Sequence, residues 1–190
     1  MSLESVLKKI EERGIKAIRF EQTSMGGVAR SKTVHVHVGN FKDKASRGLG
    51  CILFGFASDV QAGDVKGTGY FEEIGCADAI MFPDFDTFQI LPWTKNTARI
   101  LMEPTFKGKP VEGHPRIVAR RQIEKLKKLG MSIYASHEHE FYLCDKKTNL
   151  PIDDGVQFNA TIRNAPISGL IDQYMEYLPE IGIAVERFET

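Results

Sequence analysis

The sequence predicts an α+β protein, and three observations carry that prediction. Residues 2–13 place Leu3, Val6, Leu7 and Ile10 on one face of a helix, while residues 28–38 alternate in the two-residue period of a strand. A stretch rich in proline and glycine, residues 103–115, then separates a strand-dominated first part from a remainder led by a long helix. Two domains are expected on that division, residues 1–103 and 104–190.

Taken in order, Ser2 is placed to cap the first helix and Gly14 to end it. Residues 15–22 read as a strand, residues 24–27 as a turn, and residues 28–38 as the antiparallel partner. A short helix follows from Asn40 to Arg47, stopped by Gly48 and Gly50. Residues 51–60 are open between strand and extended loop, and residues 61–69, with three glycines, carry no pattern. Residues 79–82 predict a short strand ending in a turn at Pro83-Asp84, and residues 97–102 another strand. Beyond the expected linker, Pro115 opens and Gly130 closes a helix over 116–129, apolar along Ile117, Ile123, Leu126 and Leu129. A strand over 131–145, a turn over 146–151, a helix over 167–181 and a last strand over 183–188 complete the chain.

Composition excludes several classes. Hydrophobic residues make up 42% and charged ones 26% of 190 residues, the balance of a folded globular chain. Lysine plus arginine equals aspartate plus glutamate at 25 each, so charge gives no reason to expect nucleic acid or an anionic membrane as partner. Cys51, Cys76 and Cys144 have neither zinc spacing nor a disulfide framework, and fit the reduced thiols of an intracellular protein. No secretory leader and no apolar run of spanning length is visible, so a cytoplasmic location is expected.

The chemistry-bearing stretch is His137-Glu138-His139-Glu140-Phe141. On a strand Glu138 and Glu140 point the same way, roughly 6–7 Å apart. Neighbouring carboxylates raise each other's pKa unless a positive charge intervenes, and a hard divalent cation with oxygen ligands supplies it. The plainer reading is the wet side of an antiparallel strand, because Ser132, Tyr134, Ser136 and Tyr142 share that face. His35 and His37 also share a strand face, but no third ligand is suggested near them, and exposed strand histidines are the simpler account.

Other stretches bear on the choice. In order come Arg19-Phe20, residues 26–32 (GGVARSK), Met81-Phe82-Pro83-Asp84 with Thr87, and Leu91-Pro92-Trp93. Gly108-Lys109-Pro110, Pro115-Arg116 and Glu138-His139-Glu140-Phe141 follow. That succession resembles the N-terminal two-fifths or so of the glutamine synthetase family, nearest its lengsin and γ-glutamyl-amide ligase branches. The resemblance implies an N-terminal β-grasp domain followed by the truncated start of an α/β catalytic domain, in a homo-oligomer of ring-shaped assembly. It implies an ATP-dependent ligase that joins ammonia or an amine to the γ-carboxylate of glutamate through γ-glutamyl phosphate. Mg²⁺ or Mn²⁺ would be the cofactor and ATP the co-substrate. Glu138 and Glu140 match the family's first pair of metal ligands, which turns the reading of that strand toward a metal site. A lengsin-like structural or chaperone-type protein, keeping the fold without turnover, is the alternative.

The sequence departs from the family in one motif. Where a Phe-Asp-Gly-Ser-Ser motif is usual, this chain has residues 54–60 (FGFASDV), with Ala57 at or beside the Asp position and Asp59 displaced by about two. The family's Asp helps bind and deprotonate ammonium, which requires a carboxylate within roughly 3 Å of it. Asp59 is therefore the candidate catalytic residue, and its displacement points toward an amine acceptor. The ATP- and glutamate-binding residues of the family lie downstream of residue 190, so the 190-residue chain alone is expected to be inactive.

Overall fold

A computed structural model describes residues 1–53, 57–59, 61, 63, 65–152 and 161–189. They form two compact units, Met1–Ile133 and Tyr134–Thr190.

The first unit is a curled mixed sheet with its first two helices packed on one face. Helix α1 (Leu3–Glu12) begins at Ser2, whose hydroxyl accepts the Ser5 N–H at 3.2 Å, and buries Val6 and Ile10. It ends as expected at Gly14, whose φ of 60° suits a residue without a Cβ. Strands β1 (Ala17–Thr23) and β2 (Ala29–His35) form the expected antiparallel hairpin. Helix α2 (Phe41–Arg47) is capped by the Asn40 side chain and leads into β3 (Leu49–Ile52). Strands β4 (Asp78–Ile90), β5 (Thr97–Phe106) and β6 (Lys109–Pro110) follow.

The sheet order is β2-β1-β5-β4-β3, with β6 added beside β5. Only β1 and β5 run parallel; Ile18 lies opposite Ala98 and Phe20 opposite Ile100. Those four side chains face inward together with Met81, Met102 and the helical residues Val6, Ile10 and Phe41. The Phe20 and Phe41 rings stack at 5.8 Å. Although β2 and β3 close opposite ends of the sheet path, Lys32 Nζ donates to the Gly50 carbonyl at 2.6 Å and Gln22 Nε2 reaches Cys51 Sγ at 3.1 Å. The curl brings them together.

Two expectations change in this unit. The short strand that was to turn at Pro83 is instead the long β4, which carries Pro83 opposite Met102 and shifts register between Asp84 and Gln89. Pairing with β3 ends at Met81, so β4 beyond that point has one neighbour, and a residue without an N–H is tolerated there. The first half of the expected linker is also strand. Strand β5 runs through Pro104 to Phe106, turns at Lys107 and Gly108, and returns as β6. Both turn residues have positive φ, 50° and 75°, the signature of the tight hairpin turn that matches strand twist.

Helix α3 (Pro115–Lys128) starts at Pro115 and stops before Gly130, as expected. Its attachment is electrostatic. Arg116 Nη2 meets Asp84 Oδ2 of β4 at 2.6 Å, and its Nε lies 3.5 Å from Glu103 of β5; Arg120 pairs with the same two carboxylates. The apolar stripe stays open, with Ile123 and Leu129 exposed. His114, at the helix N-cap, is fully buried. Burial foremost pushes its imidazole down to about 4; the charge of Glu103 opposes this and that of Arg116 adds to it.

In the second unit a turn at 146–148 is held by Asp145, whose Oδ1 accepts the N–H groups of Lys147 and Thr148, both at 2.9 Å. Those bonds, Thr148 first, hold the Asp145 carboxyl below its usual range. Cys144 and Pro151 form an isolated antiparallel bridge across the turn. Helix α4 (Thr161–Asn164), a 3₁₀ turn (Ala165–Ile167) and helix α5 (Ser168–Glu180) follow, and Gly182 leaves the helix at φ 79°. The strands expected over 131–145 and 183–188 do not form as ladders among the described residues. A strand exists by its hydrogen-bonded neighbour, and beyond the Cys144–Pro151 bridge no described segment pairs with either stretch. No helix among the described residues is long and apolar enough to cross a membrane.

Two stability outcomes follow from these contacts. Phe41→Ala should cost about 3–5 kcal/mol in urea unfolding, because it empties a fully buried, ring-stacked position. His114 is neutral when folded and takes a proton near pH 6.5 when unfolded, so its contribution is complete above pH 6.5 and is lost as pH falls toward 4. Wild type should therefore lose up to roughly 3 kcal/mol across that window relative to His114→Gln, measured by urea midpoints at several pH values.

Candidate functional site

Glu138 and Glu140 lie in the second unit, on a segment that is solvent-exposed from Tyr134 to Tyr142. The flanking His137 and His139 rings sit 6.1 Å apart, about the spacing an extended backbone gives to residues two apart. Among the described residues neither glutamate makes a hydrogen bond or an ion pair, which leaves four carboxylate oxygens available to a ligand.

Does this donor set suit a cation? The chemistry does: carboxylate oxygens are what Mg²⁺ and Mn²⁺ take, and Mg²⁺ is commonly held by one or two carboxylates with water and substrate phosphates completing the shell. Among the described residues no three His, Cys, Asp or Glu side chains converge, so the pair by itself would fill only part of a coordination shell. His35 and His37 repeat the 6.1 Å spacing on the first unit, and they too lack a third ligand among the described residues.

Asp59 lies in the first unit with its carboxylate turned onto its own loop. Oδ1 accepts the N–H of Gln61 at 2.9 Å and of Gly63 at 2.6 Å. The loop closes so tightly that a Cβ on Gly63 would stand 2.7 Å from Asp59 Oδ2. Beside it, the Ser58 hydroxyl accepts from Arg30 Nη2 at 2.8 Å, which ties the loop to β2. The carboxylate thus acts as a turn acceptor. Residues 54–56 and 60, the rest of the departing motif, lie outside the described residues.

Sequence reasoning missed what holds the acidic segment. Phe141, the residue after Glu140, has its ring 6.4 Å from Tyr174 of α5 and 6.4 Å from Phe188, and those two stack at 6.3 Å. The available signal was the alternation itself, which puts Phe141 on the face opposite the two glutamates. Its partners could not be read from spacing.

Comparison with known proteins places these features. The profile of the glutamine synthetase catalytic domain matches residues 112–181. The chain is 30% identical to glutamine synthetase of Thermotoga maritima over 98% of its own length and 40% of that protein. It is 28% identical to a glutamate–isopropylamine ligase of Pseudomonas over 93% of its length and 41% of the ligase. It is also 27% identical to lengsin of the dog over 99% of its length and 33% of lengsin. In structure it matches a GmaS–ADP complex with a TM-score of 0.70 at 21% identity, covering 92% of this chain and 38% of that one. The resemblance expected from the ordered motifs is borne out, as is the mixed α+β class. The chain spans about a third to two-fifths of these relatives.

If Asp59 works as a loop acceptor, Asp59→Ala should speed hydrogen exchange at the Gly63 amide about five- to tenfold. Asp59→Asn, which keeps an acceptor oxygen, should change it little; exchange read by NMR separates the two.

Proposed function

This chain is a relative of the glutamine synthetase family over nearly its whole length, and on that premise we propose that the whole protein is an ATP-dependent ligase. It joins ammonia or an amine to the γ-carboxylate of glutamate through γ-glutamyl phosphate. The single observation that carries this is the acid pair: Glu138 and Glu140, which the resemblance matches to the family's first pair of metal ligands, are exposed and unengaged among the described residues. Bound there, Mg²⁺ or Mn²⁺ would neutralise phosphate charge and orient ATP. The work of this chain is to present two carboxylates on one side of an extended segment, tethered by Phe141.

The state of Asp59 favours an amine over ammonia as acceptor. Its Oδ1 is turned onto its own loop, where it accepts two backbone N–H groups, and the glutamate–isopropylamine ligase is among the relatives. The proposed domain organisation is a β-grasp domain to about residue 103, with residues 104–190 forming part of the catalytic domain. The parallel β1–β5 pairing, with helices on one sheet face, supports the β-grasp reading. The first compact unit extends to Ile133 because Arg116 and Arg120 bind α3 to β4 and β5. A homo-oligomer in the cytoplasm completes the proposal.

A second reading rests on the lengsin matches: the protein keeps the fold for a structural role without turnover. Full-length protein with ATP, Mg²⁺, glutamate and a panel of small amines separates the two. The ligase reading expects glutamate- and amine-dependent phosphate release, lowered about 10²–10³-fold in Glu138→Gln or Glu140→Gln. Folded, oligomeric protein that releases no phosphate would overturn it in favour of the structural reading. The 190-residue polypeptide, given ATP, Mg²⁺, glutamate and hydroxylamine, should form no hydroxamate above background.

A further inference from the structure

The catalytic-domain profile begins at residue 112, so helix α3 falls within it, while the strands that α3 leans on precede it. What joins the two is a quartet of charges. In the β4–β5 ladder Phe82 lies opposite Glu103 and Asp84 opposite Leu101, which makes the two carboxylates diagonal neighbours on the sheet face away from the core. Like charges so placed repel unless cations stand between them. Arg116 and Arg120, one helical turn apart on α3, each meet both. Arg116 lies 2.6 Å from Asp84 and 3.5 Å from Glu103; Arg120 lies 3.2 Å from Asp84 and pairs with Glu103.

The sheet fixes the acidic half. Its ladder shifts register just after Asp84, and the Thr87 hydroxyl spans the gap, donating to the Asp84 carbonyl at 2.6 Å and accepting the Leu101 N–H at 2.9 Å. Asp84 Oδ1 accepts the Asp86 N–H at 3.2 Å, and Oδ2 takes both arginines. Apolar packing against the sheet is slight by comparison. Among the described residues α3 buries no side chain, whereas α1 buries Val6 and Ile10 and α2 buries Phe41 and Ala45. Between α3 and strands β5 and β6 lies a groove of about 430 Å³, with Ile117 on one wall and Pro104 and Pro110 on the other. A contact that is small and charged, rather than large and apolar, leaves its two sides free to move.

We propose that the quartet of Asp84, Glu103, Arg116 and Arg120 is a latch: when its charges are screened or removed, α3 swings off β4 and β5 about the buried His114, and the sheet stays folded with α1 and α2. The latch is independent of the ligase reading. A released helix of 14 residues is marginal by itself, so its backbone hydrogen bonds open more often.

Hydrogen exchange of the 190-residue chain, read by mass spectrometry as sodium chloride rises from about 0.1 M to about 1 M, tests this. The screening length falls over that range from roughly 10 Å to roughly 3 Å. Amides of α3 should exchange about tenfold faster at high salt, while those of α1, β1 and β5 keep their rates. At low salt the Asp84→Asn/Glu103→Gln double variant should show the same rise on α3 and no further response to salt. If that variant fails to fold, Arg120→Gln must show a rise confined to α3 in its place. An α3 indifferent to salt, or unchanged in the variants, overturns the latch. So does a rise shared equally by β1 and β5, which would mark opening of the whole unit.

Discussion

Parallel pairing of β1 with β5 is the constraint on which the first unit depends. It joins residues near position 20 to residues near position 100, across a hairpin, a helix and two further strands. Parallel neighbours cannot be joined by a tight turn, so the intervening chain must cross over, and it leaves α2 on the same face as α1. That crossover creates the core: Ile18, Phe20, Ala98 and Ile100 face inward at the centre of the sheet, under α1 and α2. The opposite face is left for charge. Glu21 lies within 3.4 Å of Arg19 and 3.3 Å of Arg99, and Asp84 and Glu103 receive the arginines of α3.

The second unit is organised on a different principle. Its helices and its Asp145 turn are local, its aromatic contacts join stretches distant in sequence, and residues 134–143 and 183–189 form no ladder among the described residues. Among the described residues no backbone ladder holds the acid pair. Next to it, the Phe141 ring meets Tyr174 and Phe188. Two like charges kept on an exposed segment cost little in water.

The two sites expected from sequence differ in kind. Among the described residues Glu138 and Glu140 are unengaged, whereas Asp59 Oδ1 accepts from its own loop at Gln61 and Gly63. Proximity in a motif is thus no guide to availability. A carboxylate's neighbours decide whether it is scaffold or reagent, and for Asp59 those neighbours are backbone amides two and four residues on.

Much of the architecture was legible in the residues. Ser2 and Gly14 bound α1, Pro115 and Gly130 bound α3, and the alternation of residues 28–38 marked β2, because caps, turns and periodicity are local properties. The order of motifs was legible too, and with it the resemblance to the family. Tertiary structure decided the rest. It carried β4 through Pro83 where a neighbour was missing, extended β5 through Pro104, and turned the basic residues of α3 onto the sheet. It also brought Tyr174 and Phe188 to Phe141. Each of these depends on which distant segment lies alongside, and a linear pattern records what a residue can pair with but not where its partner will be.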